Sequence, residues 1–178
     1  DALSGAIGVA ASRPAGDGQT QVYLPLQPGE SVILRALTER EVTGPTWPDY
    51  RLVGAPTDIA GQWQVEFISG GPTLPSTFTS SRLGSWTELG RDEAQNFAGT
   101  ARYSITFDMP GNTSGDWELS LGKVCQSARV RLNGRDLGTL IAPPFRLAVK
   151  GLKPKGNKLE VEVTNVSANA IRYYDREG

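Results

Sequence analysis

The chain has 178 residues, with 19 acidic and 18 basic side chains, a net charge of -1, no histidine and one cysteine. This length suits one sizeable domain, or one domain and a partial one, and the balanced charge lacks the basic footprint of nucleic-acid-binding proteins. Without histidine there is no Ser-His-Asp or Cys-His nucleophile, and a single cysteine leaves no internal disulfide and no usual zinc site. That cysteine, Cys125, follows Val124 in a strand-like context, and we expect a small buried side chain rather than a reactive thiol. No apolar run approaches the length of a membrane span, so we expect no membrane partner.

The first 57 residues predict a β-segment followed by a proline-rich linker. Residues 6–10 read as one strand, and Val22 and Leu24 alternate in a second. After a turn at Pro28-Gly29, Val32 and Leu34 point inward from a further strand. Residues 38–60 contain three prolines and little periodicity, which is typical of a linker or long loop. Two arrangements stay open, because this segment either packs on the same sandwich as the rest of the chain or stands apart. The first residue is aspartate rather than methionine, which favours a processed protein or an excised fragment.

Alternation of apolar and polar side chains dominates residues 58–178. A period of two buries one set of side chains and leaves the other in water. The predicted inward positions are Trp63, Val65 and Phe67; Ala101, Tyr103, Ile105 and Phe107; Trp117, Leu119 and Leu121; Ala128, Val130 and Leu132; Phe145, Leu147 and Val149; and Leu159, Val161 and Val163. Asn133-Gly134 is a strong hairpin signal, and 155–157 form a second turn. About ten short strands with no long amphipathic helix predict an all-β jelly roll or β-sandwich, in which only 91–97 form a helical turn.

Sugar binding requires a flat aromatic ring for the apolar face of a pyranose and planar polar groups for its hydroxyls. The candidate platforms are the aromatic side chains that fall outside the strand alternation: Trp47, Tyr50, Trp86, Tyr173 and Tyr174. Asn133 and Arg135, at the tip of the predicted hairpin, are candidate polar partners. Trp47 alternatively attaches the linker to the sandwich. Asn133 alternatively supplies the positive φ of a type I′ turn.

Carboxylates offer only a weak case for catalysis or for a metal ion. Glu160 and Glu162 stand two residues apart on one strand face, the nearest approach to the paired acids of a glycosidase, although a solvated strand face is the simpler interpretation. A structural calcium ion is a further option, because jelly rolls are often braced by calcium bound to carboxylates and carbonyls. The loop oxygens available for it, which no spacing selects, belong to Asp58, Asp108, Asn112 and Asp116.

The second half of the chain also resembles a known family. The strings LNG, LGTL, PPFR and LKPKGNKLEVEVTN within 132–165, with FAGTARY at 97–103 and LGKV at 121–124, resemble the C-terminal region of bacterial α-L-rhamnosidases of glycoside hydrolase family 106. The resemblance covers 61–177 well and 1–37 more loosely. In the tail, Ala170 and Tyr173 depart from the family form. The matching tail positions are Asn165, Asn169, Ile171, Arg172, Asp175 and Arg176.

This resemblance implies a galactose-binding-like jelly roll that lacks the catalytic barrel. The expected function is a non-catalytic carbohydrate-binding module, extracellular or periplasmic, that recognises a plant or algal polysaccharide or oligosaccharide. Its other expected partner is the catalytic domain of the parent enzyme. A purely structural ancillary domain that braces the barrel is the alternative, and an enzyme in its own right is a weaker third hypothesis. The tail either contacts the catalytic domain or is a partly ordered terminus.

Overall fold

The computed structural model describes residues 1–178 except 3, 4, 27, 50, 51, 91, 112–114 and 178. The chain divides into two compact units, Asp1–Gly54 and Ala55–Gly178. Within the described residues, no helix is both long enough and apolar enough to cross a bilayer. The strands and helices are β1 Ser12–Gly16, β2 Gln19–Val22, β3 Trp63–Gly71, β4 Phe78–Ser80, α1 Trp86–Leu89, α2 Asp92–Gln95, β5 Ala98–Phe107, β6 Trp117–Ser120, β7 Ser127–Leu132, β8 Arg135–Leu140, β9 Arg146–Val149, β10 Asn157–Thr164 and α3 Ala168–Glu177.

The second unit is an all-β sandwich, as the alternation predicts. Its larger sheet is antiparallel and has the strand order β4-β3-β5-β10-β7-β8, while β6 and β9 form a second, two-stranded sheet. Side chains from the second sheet, including Val149 and Leu119, pack against the core of the larger one. The predicted inward positions that are buried are Trp63, Val65, Phe67, Ala101, Tyr103, Ile105, Ala128, Val130, Leu132, Phe145, Val149, Leu159 and Val161.

The β7–β8 hairpin follows the predicted turn. Leu132 pairs with Arg135, so Asn133 and Gly134 are the two loop residues. Both have positive φ, 52° and 81°, which is the requirement of a type I′ turn. This turn fixes the register of β8 at the edge of the larger sheet.

The first unit differs from the prediction. Its hairpin joins β1 to β2 through Asp17 and Gly18, whose φ values of 49° and 72° suit a tight turn. The turn expected at Pro28-Gly29 joins no strands, and the expected strand through Val32 and Leu34 is not formed, since described residues 30–43 contain none. The apolar side chains of that segment line a groove instead.

Two further expectations in the second unit are wrong. Cys125 is exposed, because it lies in the loop between β6 and β7 rather than on a strand. The expectation of a helical turn only within 91–97 is also wrong, because Trp86–Leu89 forms α1 and the tail, for which a partly ordered terminus was one of two alternatives, forms the ten-residue helix α3. Its start is fixed by Asn165, which accepts a hydrogen bond from Gly99 N at 2.8 Å and donates to the Phe97 carbonyl at 3.3 Å.

Candidate functional site

A groove in the first unit contains the indole of Trp47. The cavity measures about 310 Å³, and its walls are mainly apolar. Trp47 is half-buried there, whereas Ile7 and Ile33 on the same groove are 87% and 82% exposed. Among the described residues of 1–54, none is fully buried. The groove therefore combines an accessible aromatic ring with aliphatic side chains that the unit itself leaves uncovered.

A short parallel bridge holds Trp47 in place. Val9 N donates to the Pro45 carbonyl at 2.7 Å, and Trp47 N donates to the Val9 carbonyl at 2.8 Å, across the bridge between Val9 and Thr46. Gly8 permits this approach, since a Cβ at that position would lie 2.8 Å from Trp47 Cα. The position of the ring thus depends on one small residue that sequence reasoning did not single out.

Trp86 belongs to the core of the second unit. It is 4% exposed, and its ring packs edge-on against Phe67 and Phe97 with centroids 6.0 and 5.9 Å away. Ser85 caps the helix that begins at Trp86, which turns the indole inward. The indole Nε1 has no hydrogen-bond partner. A ring enclosed in this way offers no free face to a sugar in this structure.

The two tyrosines of the tail lie on α3. Their rings pack against each other with centroids 5.5 Å apart and an interplanar angle of 69°, and Tyr174 is 59% exposed while Tyr173 is partly covered. Asn169, on the same helix, donates to the Phe97 carbonyl at 3.4 Å. The pair is a partly accessible aromatic surface on the helix. Tyr50 lies outside the described residues.

The amide of Asn133 is used within the fold. Its Nδ2 donates to Asn157 Oδ1 at 3.1 Å, and its Oδ1 accepts from Lys158 N at 3.0 Å. This is the structural alternative to a sugar contact, since both polar atoms already have partners. Arg135, the first residue of β8, is exposed.

Asn157 is the residue that sequence reasoning missed. It is fully buried, and its Oδ1 accepts from Lys153 N at 2.8 Å as well as from Asn133. Its Nδ2 donates to the Lys153 carbonyl at 2.7 Å and to the Phe107 carbonyl at 3.5 Å. Its position in the sequence could have indicated this role. Asn157 lies two residues before Leu159, so it shares the buried face of β10, where a polar side chain must have internal hydrogen-bond partners.

The outer face of the larger sheet carries ion pairs. Arg102 donates to Glu162 at 2.9 Å and to Glu66 at 3.3 Å, and Arg131 donates to Glu162 at 3.2 Å. Lys158 pairs with Glu160 at 2.8 Å. The carboxylates of Glu160 and Glu162 are therefore mostly covered, with 17% and 13% side-chain exposure, instead of solvated as expected.

The titration of these groups follows from their partners. The hydrogen bond from Lys158 lowers the pKa of Glu160, and the bonds from Arg129 and Gly138 lower the pKa of Asp136. Glu162 raises the pKa of Arg102 by its hydrogen bond. A lowered carboxyl pKa opposes a role as general acid at neutral pH. By contrast, burial raises the pKa of Tyr103 to about 12, and its hydroxyl donates to the Gly84 carbonyl at 3.2 Å.

The oxygens considered for calcium do not gather at one point. Asp108 accepts from Gly156 N at 2.9 Å, and Asp116 pairs with Lys150 at 3.1 Å. Asn112 lies outside the described residues. Across the described part of the chain, no group of three or more acidic, cysteine or histidine residues is arranged to hold a metal ion.

The predicted sugar-binding residues thus belong to different elements of the two units. Asn133 and Arg135 share the hairpin tip, Tyr173 and Tyr174 share α3, Trp86 is in the core, and Trp47 lies in the first unit. Trp47 lines the apolar cavity of the first unit.

Comparison with known proteins relates the chain to glycoside hydrolases. No protein-family model matches it. It is 36% identical over 160 residues to a protein of Formosa agariphila named "Putative beta-glucuronidase", in a match that covers 87% of this chain and 13% of that protein. A rhamnosidase from Novosphingobium sp. PP1Y superimposes with a TM-score of 0.54 and 29% identity, over 70% of this chain and 13% of the rhamnosidase. The chain therefore resembles a segment of glycoside hydrolases and spans only about 13% of the relatives it matches, as an ancillary domain would.

Proposed function

We propose that the chain is a non-catalytic ancillary domain of a glycoside hydrolase and that it binds carbohydrate. The similarity to small segments of two such proteins supports the first part. The paired charges on the outer sheet face support a role without acid–base chemistry. In finer detail, we propose the C-terminal region of a family 106 rhamnosidase-like enzyme, acting outside the cell or in the periplasm on a plant or algal glycan that contains rhamnose or uronic acid.

The carbohydrate site that the geometry favours is the groove around Trp47. The single observation that carries it is the half-buried indole on the wall of a cavity of about 310 Å³, a volume at the lower end of small-ligand sites. An aromatic face stacks on the apolar face of a pyranose, and the glycine- and alanine-rich stretch of 5–10 brings backbone groups to the same groove. The exposed Tyr173–Tyr174 pair is a secondary platform.

Affinity electrophoresis tests this site. Gels that contain a rhamnose-rich glycan, xylan, pectin or a soluble cellulose derivative should retard the native chain in at least one case. Trp47→Ala should weaken that retardation about tenfold, because one aromatic contact contributes roughly 1–2 kcal/mol. Tyr23→Ala removes an exposed aromatic ring of the same unit that does not line the groove, and should leave retardation unchanged. Equal retardation of the native chain and of Trp47→Ala would show that the groove is not the glycan-binding site.

A structural brace is the second candidate, and a specific observation favours it. Ile7 and Ile33 expose more than four-fifths of their surface on the groove, as expected for a surface that is covered by another domain. In that case no glycan retards the chain, and the separately produced catalytic body of the parent enzyme co-elutes with it. Ile33→Ser should then weaken co-elution, whereas Val53→Ser, which removes an equally exposed side chain outside the groove, should not.

A further inference from the structure

One end of the sandwich presents cations on two neighbouring loops. Arg135 follows the β7–β8 turn, and Lys153 and Lys155 lie on the loop that precedes β10. The two loops are joined at Asn157, whose Oδ1 accepts hydrogen bonds both from Lys153 N and from the Asn133 amide. Groups bound to one oxygen atom are close neighbours, so the two loops meet at Asn133 and Lys153. Arg135 and Lys155 each lie two residues along the chain from that junction.

The loop that carries the lysines is held at several points. Gly156 N donates to Asp108 Oδ1 at 2.9 Å, and Met109 N donates to the Pro154 carbonyl at 3.2 Å. Together with the bonds of Lys153 to Asn157, these contacts fix the backbone from which the side chains extend. A fixed backbone reduces the entropy lost when a ligand binds.

The charges at this end differ from those on the sheet face. On the sheet, Arg102, Arg131 and Lys158 each pair with a glutamate. Arg135, Lys153 and Lys155 are exposed, and in the described structure none of the three forms an ion pair. The nearby carboxylate of Asp108 offsets part of this charge. The net charge of -1 for the whole chain therefore hides a local positive excess.

We propose that this end, defined as Arg135, Lys153 and Lys155, binds a polyuronate, a glycan with a carboxylate on each sugar. A guanidinium binds a carboxylate through two parallel hydrogen bonds, and the two ammonium groups contact further carboxylates along the polymer. Exposed side chains on two loops suit an extended chain rather than a small ligand that needs a pocket. The inference rests on the proposed function for the ligand class, a glycan, while its residues belong to the second unit and the Trp47 groove belongs to the first.

The test compares the full chain with two matched triple variants. Arg135→Gln/Lys153→Gln/Lys155→Gln removes the three cations of the site. Arg172→Gln/Arg176→Gln/Lys123→Gln removes the same charge from α3 and from the β6–β7 loop, beside the ends of β10 and β7 opposite the site. All six side chains are exposed, so both variants should keep the native unfolding temperature.

Binding to polygalacturonate is measured by titration calorimetry at low salt and at about 0.5 M NaCl, where exposed charges are largely screened. We expect the first variant to lose about tenfold in affinity, since each of the three exposed ion pairs contributes only a modest part of the binding free energy. The second variant should stay within about twofold, and salt should abolish binding of the native chain.

Three results would overturn the proposal: no binding of polygalacturonate by the native chain, equal losses in the two variants, or binding of dextran sulfate in its place. Neutral glycans and Trp47→Ala report on the groove separately. Failure at the charged end therefore leaves the groove untouched, and failure at the groove leaves the charged end untouched.

Discussion

Replacing Asn157 tests the organisation of the sandwich end most directly. Asn157→Ala removes three short hydrogen bonds: those with Lys153 N, the Lys153 carbonyl and Asn133 Nδ2, at 2.8, 2.7 and 3.1 Å. Each such bond contributes about 1 kcal/mol, and a buried group left without a partner costs more. We therefore expect the free energy of unfolding to fall by about 3 kcal/mol, and the unfolding temperature by roughly 10 °C.

The assay is urea unfolding followed by tryptophan fluorescence, with Trp47→Phe in every protein compared. Fluorescence then reports the second unit alone, through Trp63, Trp86 and Trp117. Asn169→Ala is the matched control, because it deletes the same atoms but removes a single 3.4 Å bond on an exposed helix. A loss below about 0.5 kcal/mol for Asn157→Ala, or a loss equal to that of the control, would refute the reasoning.

Gly99→Ala should destabilise the second unit by about 2–4 kcal/mol, because the new Cβ would lie 2.1 Å from the Ser69 carbonyl at a φ of 157°; Gly71→Ala, which meets nothing within 4 Å, should be tolerated in the same urea titration. Trp86→Phe should cost less than about 1.5 kcal/mol, since it also removes a buried N–H that lacks a partner, whereas Trp86→Ala should cost about 3–5 kcal/mol. Lys158 lowers the folded-state pKa of Glu160 below its ordinary 4.5, so the resulting stability is present above that pH and is lost as pH falls through the folded-state pKa. The stability advantage of the native chain over Glu160→Gln should therefore shrink as pH falls below the ordinary value of 4.5, and an advantage that stays constant would contradict the assignment.

The sequence predicts the sandwich well because each of its strands has one buried face and one face toward solvent. Alternation places Val65, Val130 and Leu159 inward, and all three are buried. The turn at Asn133-Gly134 follows from local chemistry, since both residues tolerate positive φ. Information of this kind is local to each strand and turn, and a single sequence contains it.

The first unit could not be predicted in the same way. Val32 and Leu34 alternate as a strand would, yet neither pairs, because strand formation needs a partner edge as well as a pattern. Helix α3 was not predicted because long-range contacts, rather than a local pattern, determine where it begins. Its start is set by the side chains of Asn165 and Asn169, which reach Phe97 across more than sixty positions of sequence. Contacts of that range leave no local signal.

The sequence says least about the candidate site, since alternation shows where a polar side chain points but not whether another residue already binds it. Asn133 and Arg135 are two residues apart, and both are polar. The amide of Asn133 is held by Asn157 and Lys158, while Arg135 extends into solvent. The same distinction separates the paired arginines of the sheet from the unpaired cations of the loops. Availability for binding is therefore set by the tertiary partners of each charge, and it is this difference, rather than net charge or residue type, that points to the loop end.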